Sequence, residues 1–223
     1  MTVKALLIGS LGVLVDLTDM DCVALAQALA ESGLDIDVTP RLVGEVVGHP
    51  EGARRLEDHA AGRGATIDAR RVLDRQRSLL LDRLEAGPLG LRREIGELIG
   101  AARSAGIRVG LVTTSPRAHV GAVLKGLGTA LPAEAFDLIV SREDVAEEKP
   151  SPGCYAIALQ RLGLDQSEAV AIEDSPTNAR AARKALLTTL AVPPRAHANR
   201  DFPARVLVTD RPAAAILSLT RAA

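Results

Sequence analysis

Three short groups of residues in this 223-residue chain have types and placement suited to one chemistry. Thr113-Thr114-Ser115-Pro116 offers hydroxyls and backbone N–H groups. Lys149, stiffened by Pro150, offers a cation. Glu173-Asp174-Ser175 offers two adjacent carboxylates. A phosphate group needs a cation and several donors, which Lys149, Thr113 and Thr114 can supply. Adjacent acids at a strand end suit a hard cation that keeps several waters, such as Mg²⁺, so Glu173 and Asp174 are the expected metal ligands. Each group alone has a plain reading. A Lys-Pro pair is ordinarily a loop, Glu-Asp-Ser a turn and helix cap, and Thr-Thr-Ser-Pro a helix start. Their weight comes from order and position, because each closes an apolar run.

Those runs define the elements that must hold the groups. Val3–Ile8, Ile107–Val112, Phe136–Val140, Ala169–Ile172, Thr188–Val192 and, more weakly, Val206–Val208 read as buried strands. Helical patterning fills intervals such as Ala118–Leu127 and Gly153–Leu162. Alternating strand and helix predicts an α/β fold, a doubly wound parallel sheet covered on both faces. The first interval breaks the rhythm. Nearly a hundred residues part the first two strands, and they read as helices over Asp21–Glu31, Pro40–Val47, Glu51–Ala60 and Asp68–Leu84, punctuated by Gly33, Gly48-His49-Pro50 and Gly62-Arg63-Gly64. A helical insert after the first strand belongs over the carboxyl ends of the strands, where such sheets bind ligands. The expected division is a core of residues 1–16 and 87–223 with a helical cap at 17–86.

Bulk properties narrow the partners. The net charge of -1 gives no footprint for nucleic acid or an anionic membrane. Aromatic residues are 1% of the chain, so a stacking site for bases or sugars is not expected. No apolar run approaches 18 residues, which predicts no membrane span and a cytoplasmic protein. Cys22 and Cys154 lie outside any metal-ligand spacing and read as two reduced thiols.

The whole pattern resembles the haloacid dehalogenase superfamily, and within it the CbbY and β-phosphoglucomutase branch, which acts on sugar phosphates. Gly110-Leu111-Val112-Thr113-Thr114-Ser115-Pro116 is similar to the second motif of that family, Glu147-Glu148-Lys149-Pro150-Ser151-Pro152 to the third, and Val170-Ala171-Ile172-Glu173-Asp174-Ser175 to the fourth. The helical insert and Asp201-Phe202 add to the likeness. The resemblance implies a phosphoryl-transfer site with Mg²⁺ held by the fourth-motif acids and by a first-motif backbone carbonyl, here that of Leu11.

The first motif departs from the family. Lys4-Ala5-Leu6-Leu7-Ile8-Gly9-Ser10-Leu11-Gly12-Val13-Leu14-Val15-Asp16 resembles its opening, but Gly9 and Leu11 stand where the nucleophile and the acid/base aspartates are expected. Covalent phosphoryl transfer needs that first carboxylate, and Leu11 can neither give nor take a proton. Losing a lone nucleophile costs on the order of 10⁶-fold in rate. Glu148, Asn178 and Leu186 also replace family glycines, and Gly153-Cys154 stands where an acidic helix cap is usual. Asp16 is an acid common at the cap entry rather than a replacement nucleophile. Asp19 and Asp21 read as first-turn helix acids, His49 as a turn residue, and Arg54 and Arg55 as a solvated helix face.

The reading is a hydrolase homologue without its catalytic carboxylates, a pseudophosphatase that binds a phosphorylated small molecule or a protein partner. An active sugar-phosphate phosphatase with an unrecognised nucleophile and a non-catalytic regulatory subunit are the alternatives. Weak Mg²⁺ binding, a monomer or homodimer, and phosphate attraction through Thr113 and Lys149 are the accompanying expectations.

Overall fold

The computed structural model describes residues 2–198 and 200–221. Its centre is a six-stranded sheet in which every pairing is parallel. The strands are β1 (Ala5–Ile8), β2 (Arg108–Val112), β3 (Leu138–Val140), β4 (Ala169–Glu173), β5 (Thr188–Ala191) and β6 (Val206–Val208), in the order β3-β2-β1-β4-β5-β6. β1 therefore lies between β2 and β4, with Ile8 level with Leu111 and Ile172. The order reverses between β1 and β4, and the ends of these strands form the crevice where a doubly wound sheet holds its ligand.

Side-chain alternation divides the core into two faces. Leu6, Ile8, Leu111, Ile172 and Leu190 belong to one buried cluster, and Ala5, Leu7, Ala169 and Ala171 to the other. Helices α8 (Gly153–Leu162) and α9 (Pro176–Lys184) cover the second face through Tyr155, Ala158, Ala181 and Ala182. The first face meets α6 (Arg93–Ser104) and α7 (Arg117–Leu127), and its cluster continues into the insert through Leu25, Leu29, Leu42, Val43 and Leu56.

The insert is helical throughout its regular parts. A single turn, α1 (Leu11–Leu14), leads to α2 (Thr18–Glu31), α3 (Pro40–Val46), α4 (Gly52–Ala61) and α5 (Ala69–Glu85). Local chemistry starts two of them: the Thr39 hydroxyl accepts from Leu42 N with Pro40 next in line, and the Asp68 carboxylate accepts from Arg71 N. α2 packs along α5, and α5 also meets α7 of the sheet-covering layer. His119 on α7 joins the two directly, its ring nitrogen bonding the Arg77 carbonyl at 3.0 Å. The final helix is α10 (Pro212–Arg221). The strand expected to begin at Val3 begins at Ala5, after Lys4 N has bonded the Glu168 carbonyl. Among the described residues no helix is long and apolar enough to cross a membrane.

Candidate functional site

The carboxyl ends of β1, β2 and β4 and the helices of the insert enclose a cleft of about 790 Å³. Gly9, Thr113, Lys149 and Asp174 all line it, so the structure brings together the residues singled out from sequence. Their arrangement is not that of an open phosphate site.

Lys149 is buried, with 2% of its side chain exposed. Its ammonium donates to the carbonyls of Gly9 and Val112 and to Glu173 Oε1, the last two at 2.9 Å. Three donors meet three acceptors, so the Lys149 charge is shared with Glu173 at the edge of the cleft. Glu173 is fully buried and also accepts from the Tyr155 hydroxyl. Both bonds fall on Oε1, and Oε2 has no partner among the described residues. Burial pushes the Glu173 carboxyl up to about 7, while Lys149 pulls it down. Burial likewise holds the Tyr155 phenol well above its ordinary range. Lys149 sits 4.9 Å from the centre of the Tyr155 ring, within cation–π range.

The Glu173 carboxylate lies against the Gly9 backbone. A β-carbon built on Gly9 falls within the Glu173 carboxylate. The Gly9 backbone thus has a carboxylate beside it, delivered by β4 from behind. That carboxylate reaches only as far as the β-carbon of a residue at position 9, about two bonds short of where an aspartate oxygen would act. Glu173 is not among the residues that line the cleft.

Asp174 points the other way and does face the cleft. Its Oδ1 accepts from Asn178 Nδ2 at 2.9 Å, and a β-carbon on Gly12 would collide with Oδ2. Ser175 caps α9 by accepting from Asn178 N, with Pro176 at the first helical position. The Leu11 side chain is buried in the core, and its carbonyl accepts from Val15 N to close α1. This donor set does not fit a resident Mg²⁺. Glu173 is committed to Lys149 and Tyr155, Leu11 O to a helical turn, and one oxygen of Asp174 to an amide. Among the described residues no three acidic, histidine or cysteine groups stand close enough to hold a metal ion. Of the Mg²⁺ ligands expected, Glu173, Asp174 and Leu11, only Asp174 presents its carboxylate to the cleft.

At the end of β2 the Thr113 hydroxyl is also engaged, donating to Ser115 Oγ at 3.0 Å and accepting from Ser115 N. Thr114 lines the cleft and is half-buried. Arg92 braces the first-motif turn from below, with Nη1 on the carbonyls of Gly12 (3.1 Å) and Val192 (2.8 Å).

The insert contributes the remaining wall. Asp21 on α2 lines the cleft and accepts from Gln76 Nε2 on α5 at 2.8 Å. Burial raises its carboxyl to about 7; the Gln76 bond opposes this, and the charges of Asp174 and Asp16 add to it. His49 lines the cleft while its Nδ1 accepts from Glu51 N. Arg55 lines it too, whereas Arg54 pairs with Glu51 and Asp58 on the exposed face. Asp16 accepts from Thr18 N and pairs with Arg195, an entry-turn role. Both cysteines are free thiols.

Sequence reasoning missed Tyr155, Asp21, Gln76 and Arg92. Tyr155 is the single tyrosine and lies six residues past Lys149, on the first turn of α8, which is a usable signal. Asp21 and Gln76 are 55 positions apart, and no spacing rule pairs them.

The fold and this cleft define a haloacid dehalogenase-like hydrolase, and that family matches residues 12–185, a span that begins just past Gly9 and Leu11. The chain belongs to it, and to its CbbY-like branch. It is 33% identical over 216 residues to the plasmid-encoded Protein CbbY of Cupriavidus necator, covering 92% of this chain and 84% of that one. Protein CbbY of Rhodobacter capsulatus is 28% identical over 207 residues, 92% and 91% of the two chains. The crystal structure of CbbY from Rhodobacter sphaeroides in complex with phosphate superposes with a TM-score of 0.74 at 28% identity, covering 95% of this chain and 96% of that one.

Proposed function

We propose that this chain is a CbbY-like pseudophosphatase that binds a phosphorylated small molecule without turning it over. One observation carries the reading: Gly9 and Leu11 bring no carboxylate to the cleft, and the one carboxylate beside Gly9 is fully buried behind it. In this family phosphatases generally use Mg²⁺, and the donor set here does not supply its site. Dehalogenation fails on the same missing carboxylate.

Ligand binding is supported by the size of the cleft and its basic outer wall, which includes Arg55, Arg142, Arg180 and Arg200 beside His49. The Rhodobacter sphaeroides CbbY structures hold phosphate in one case and, in a variant, xylulose-(1,5)bisphosphate, which makes sugar phosphates the class to try first. Residues 17–86 would act as the cap over a core of residues 1–16 and 87–223, with Asp21, His49 and Arg55 as its contributions to the ligand space.

The test is a phosphatase screen over sugar and aryl phosphates with Mg²⁺, beside a phosphate titration followed by NMR. Absence of turnover with saturable shifts at cleft residues is the expected result. Mg²⁺-dependent turnover at ordinary family rates would overturn it. The active alternative has one specific candidate, the unpartnered Glu173 Oε2. If turnover is found and Glu173→Gln abolishes it, that alternative is correct.

A further inference from the structure

The charged groups that line the cleft are sorted by sign between its two ends. Toward the strand ends, Asp174 and Asp21 face one space, near enough for the charge of Asp174 to push up the Asp21 carboxyl. Each has one oxygen held by an amide, Asp174 Oδ1 by Asn178 and Asp21 Oδ1 by Gln76, itself 3% exposed. The second oxygen of each makes no hydrogen bond yet keeps some accessible surface, and neither acid has a cationic partner among the described residues. Asp174 is only 8% exposed. Lys149, the cation at this end, is bonded to Glu173, and burial pushes the neighbouring His197 toward its neutral form. The outer wall is the reverse. Arg180 on α9 makes no hydrogen bond or ion pair among the described residues, and Arg200 has a buried Nη2 without a partner. His49 Nδ1 accepts from Glu51 N, so Nε2 carries the ring hydrogen and remains as a donor. Of the acids on that wall, Glu148 pairs with Arg142 and Asp201 is exposed.

We propose that the cleft takes a phosphorylated amine, with the ammonium between Asp21 and Asp174 and the phosphate on Arg180, Arg200 and His49. The inference rests on the pseudophosphatase reading and names the ligand class for that cleft. A ligand that is only a phosphate satisfies the outer wall and leaves two facing carboxylates in a poorly solvated space, an unfavourable arrangement. A ligand hydroxyl can donate to one of them but does not offset their charge. An ammonium does both, with three N–H donors and a positive charge. A metal ion would also offset the charge, but among the described residues no three acidic, histidine or cysteine groups stand close enough to hold one. The phosphate of such a ligand lies on the outer wall and away from Gly9 and Leu11, which agrees with binding without turnover. Asp21 is thereby the specificity-determining residue that the insert supplies, and Gln76 is its positioning residue.

The test compares glucosamine 6-phosphate with glucose 6-phosphate, which differ by an ammonium in place of a hydroxyl. Both are titrated against the full chain at neutral pH by calorimetry and NMR. Glucosamine 6-phosphate should bind roughly 10-fold tighter or more, the scale of one hydrogen bond to a charged group. Asp21→Asn keeps the bond to Gln76 and should bring the two affinities to within roughly 3-fold of each other. Arg180→Ala should weaken both sugars by a similar factor, because they share the phosphate. Equal affinities in the parent chain would overturn the proposal, as would a preference that survives Asp21→Asn or an Arg180→Ala effect on one sugar alone. So would Mg²⁺ that raises the affinity for glucose 6-phosphate and erases the preference, since the two acids would then serve a metal. Saturable binding of inorganic phosphate without binding of glucosamine 6-phosphate would overturn this inference and leave the pseudophosphatase reading standing. Turnover of either sugar phosphate would overturn that reading, while the preference between the two would still decide the inference.

Discussion

Gln76 on α5 donates a 2.8 Å hydrogen bond to Asp21 on α2, and so fixes a carboxylate of the insert where it faces the charge of Asp174 at the end of β4. Two acids from opposite walls of one cleft thus face one poorly solvated space, and the protonation of Asp21 is coupled to folding.

Asp21 should make the protein more stable at pH 5 than at pH 8, relative to an Asp21→Asn variant. Its folded-state value, about 7, lies above the ordinary 3.8, so between these values the folded chain holds a proton that the unfolded chain has released. Stability from this group is therefore present at low pH and falls as pH rises through 7. Asparagine keeps the bond to Gln76 and does not titrate. Each tenfold difference in proton affinity between the folded and unfolded chains corresponds to about 1.4 kcal/mol, a scale that is reduced here because the Asp21 side chain retains some access to the cleft. Thermal melts at pH 5 and pH 8 would show the variant gaining on the parent chain with rising pH; a constant difference would refute the coupling.

Arg92→Ala should lower stability by about 2–3 kcal/mol, because one guanidinium holds two backbone carbonyls from different parts of the fold. Arg92→Lys should recover only part of it: both carbonyls bond one nitrogen, Nη1, which an ammonium can imitate, but lysine cannot also supply the Nε and Nη2 contacts to Glu94 that hold that nitrogen in place. Urea midpoints of the two variants decide the matter, and full recovery by lysine would count against the bridging role.

Tyr155→Phe should cost about 1–3 kcal/mol, although it removes a single oxygen. That hydroxyl is the second donor to Glu173 Oε1 in a site with no solvent access, and water does not replace it. A variant as stable as the parent would show that Lys149 alone satisfies the carboxylate.

Leu186 is expected to be a site of easy stabilisation. It has φ of 62° and is 70% exposed, at the turn between α9 and β5. A side chain with a β-carbon is strained in the left-handed region by about 1–2 kcal/mol, and glycine is not. Leu186→Gly should raise the melting temperature by about 2–4 °C after the entropy that glycine adds to the unfolded chain. An unchanged or lower value would mean that the leucine makes compensating contacts.

The strands and the helical insert were legible in the chain because their signals are local. Apolar runs of four to six residues, Pro at helix starts, and caps such as Thr39, Asp68 and Ser175 act within a few positions. The convergence of Thr113, Lys149 and Asp174 followed, since each closes a strand or strand-end loop of one parallel sheet. That Gly9 and Leu11 carry no carboxylate was also plain, because the residue types alone say so. What the chain's residues alone did not decide was which acid takes Lys149. Whether Lys149 stands open to a ligand or closed on Glu173 depends on a void at Gly9, on the pleat that turns both residues toward α8, and on Tyr155 six residues beyond the lysine. Asp21 joined the cleft through the rotation of α2 against α5, set by packing between helices 55 positions apart. Residue types fix what a site can do; only tertiary packing decides which partners its charges take, because that choice is made by distances of a few ångströms between segments far apart in the chain.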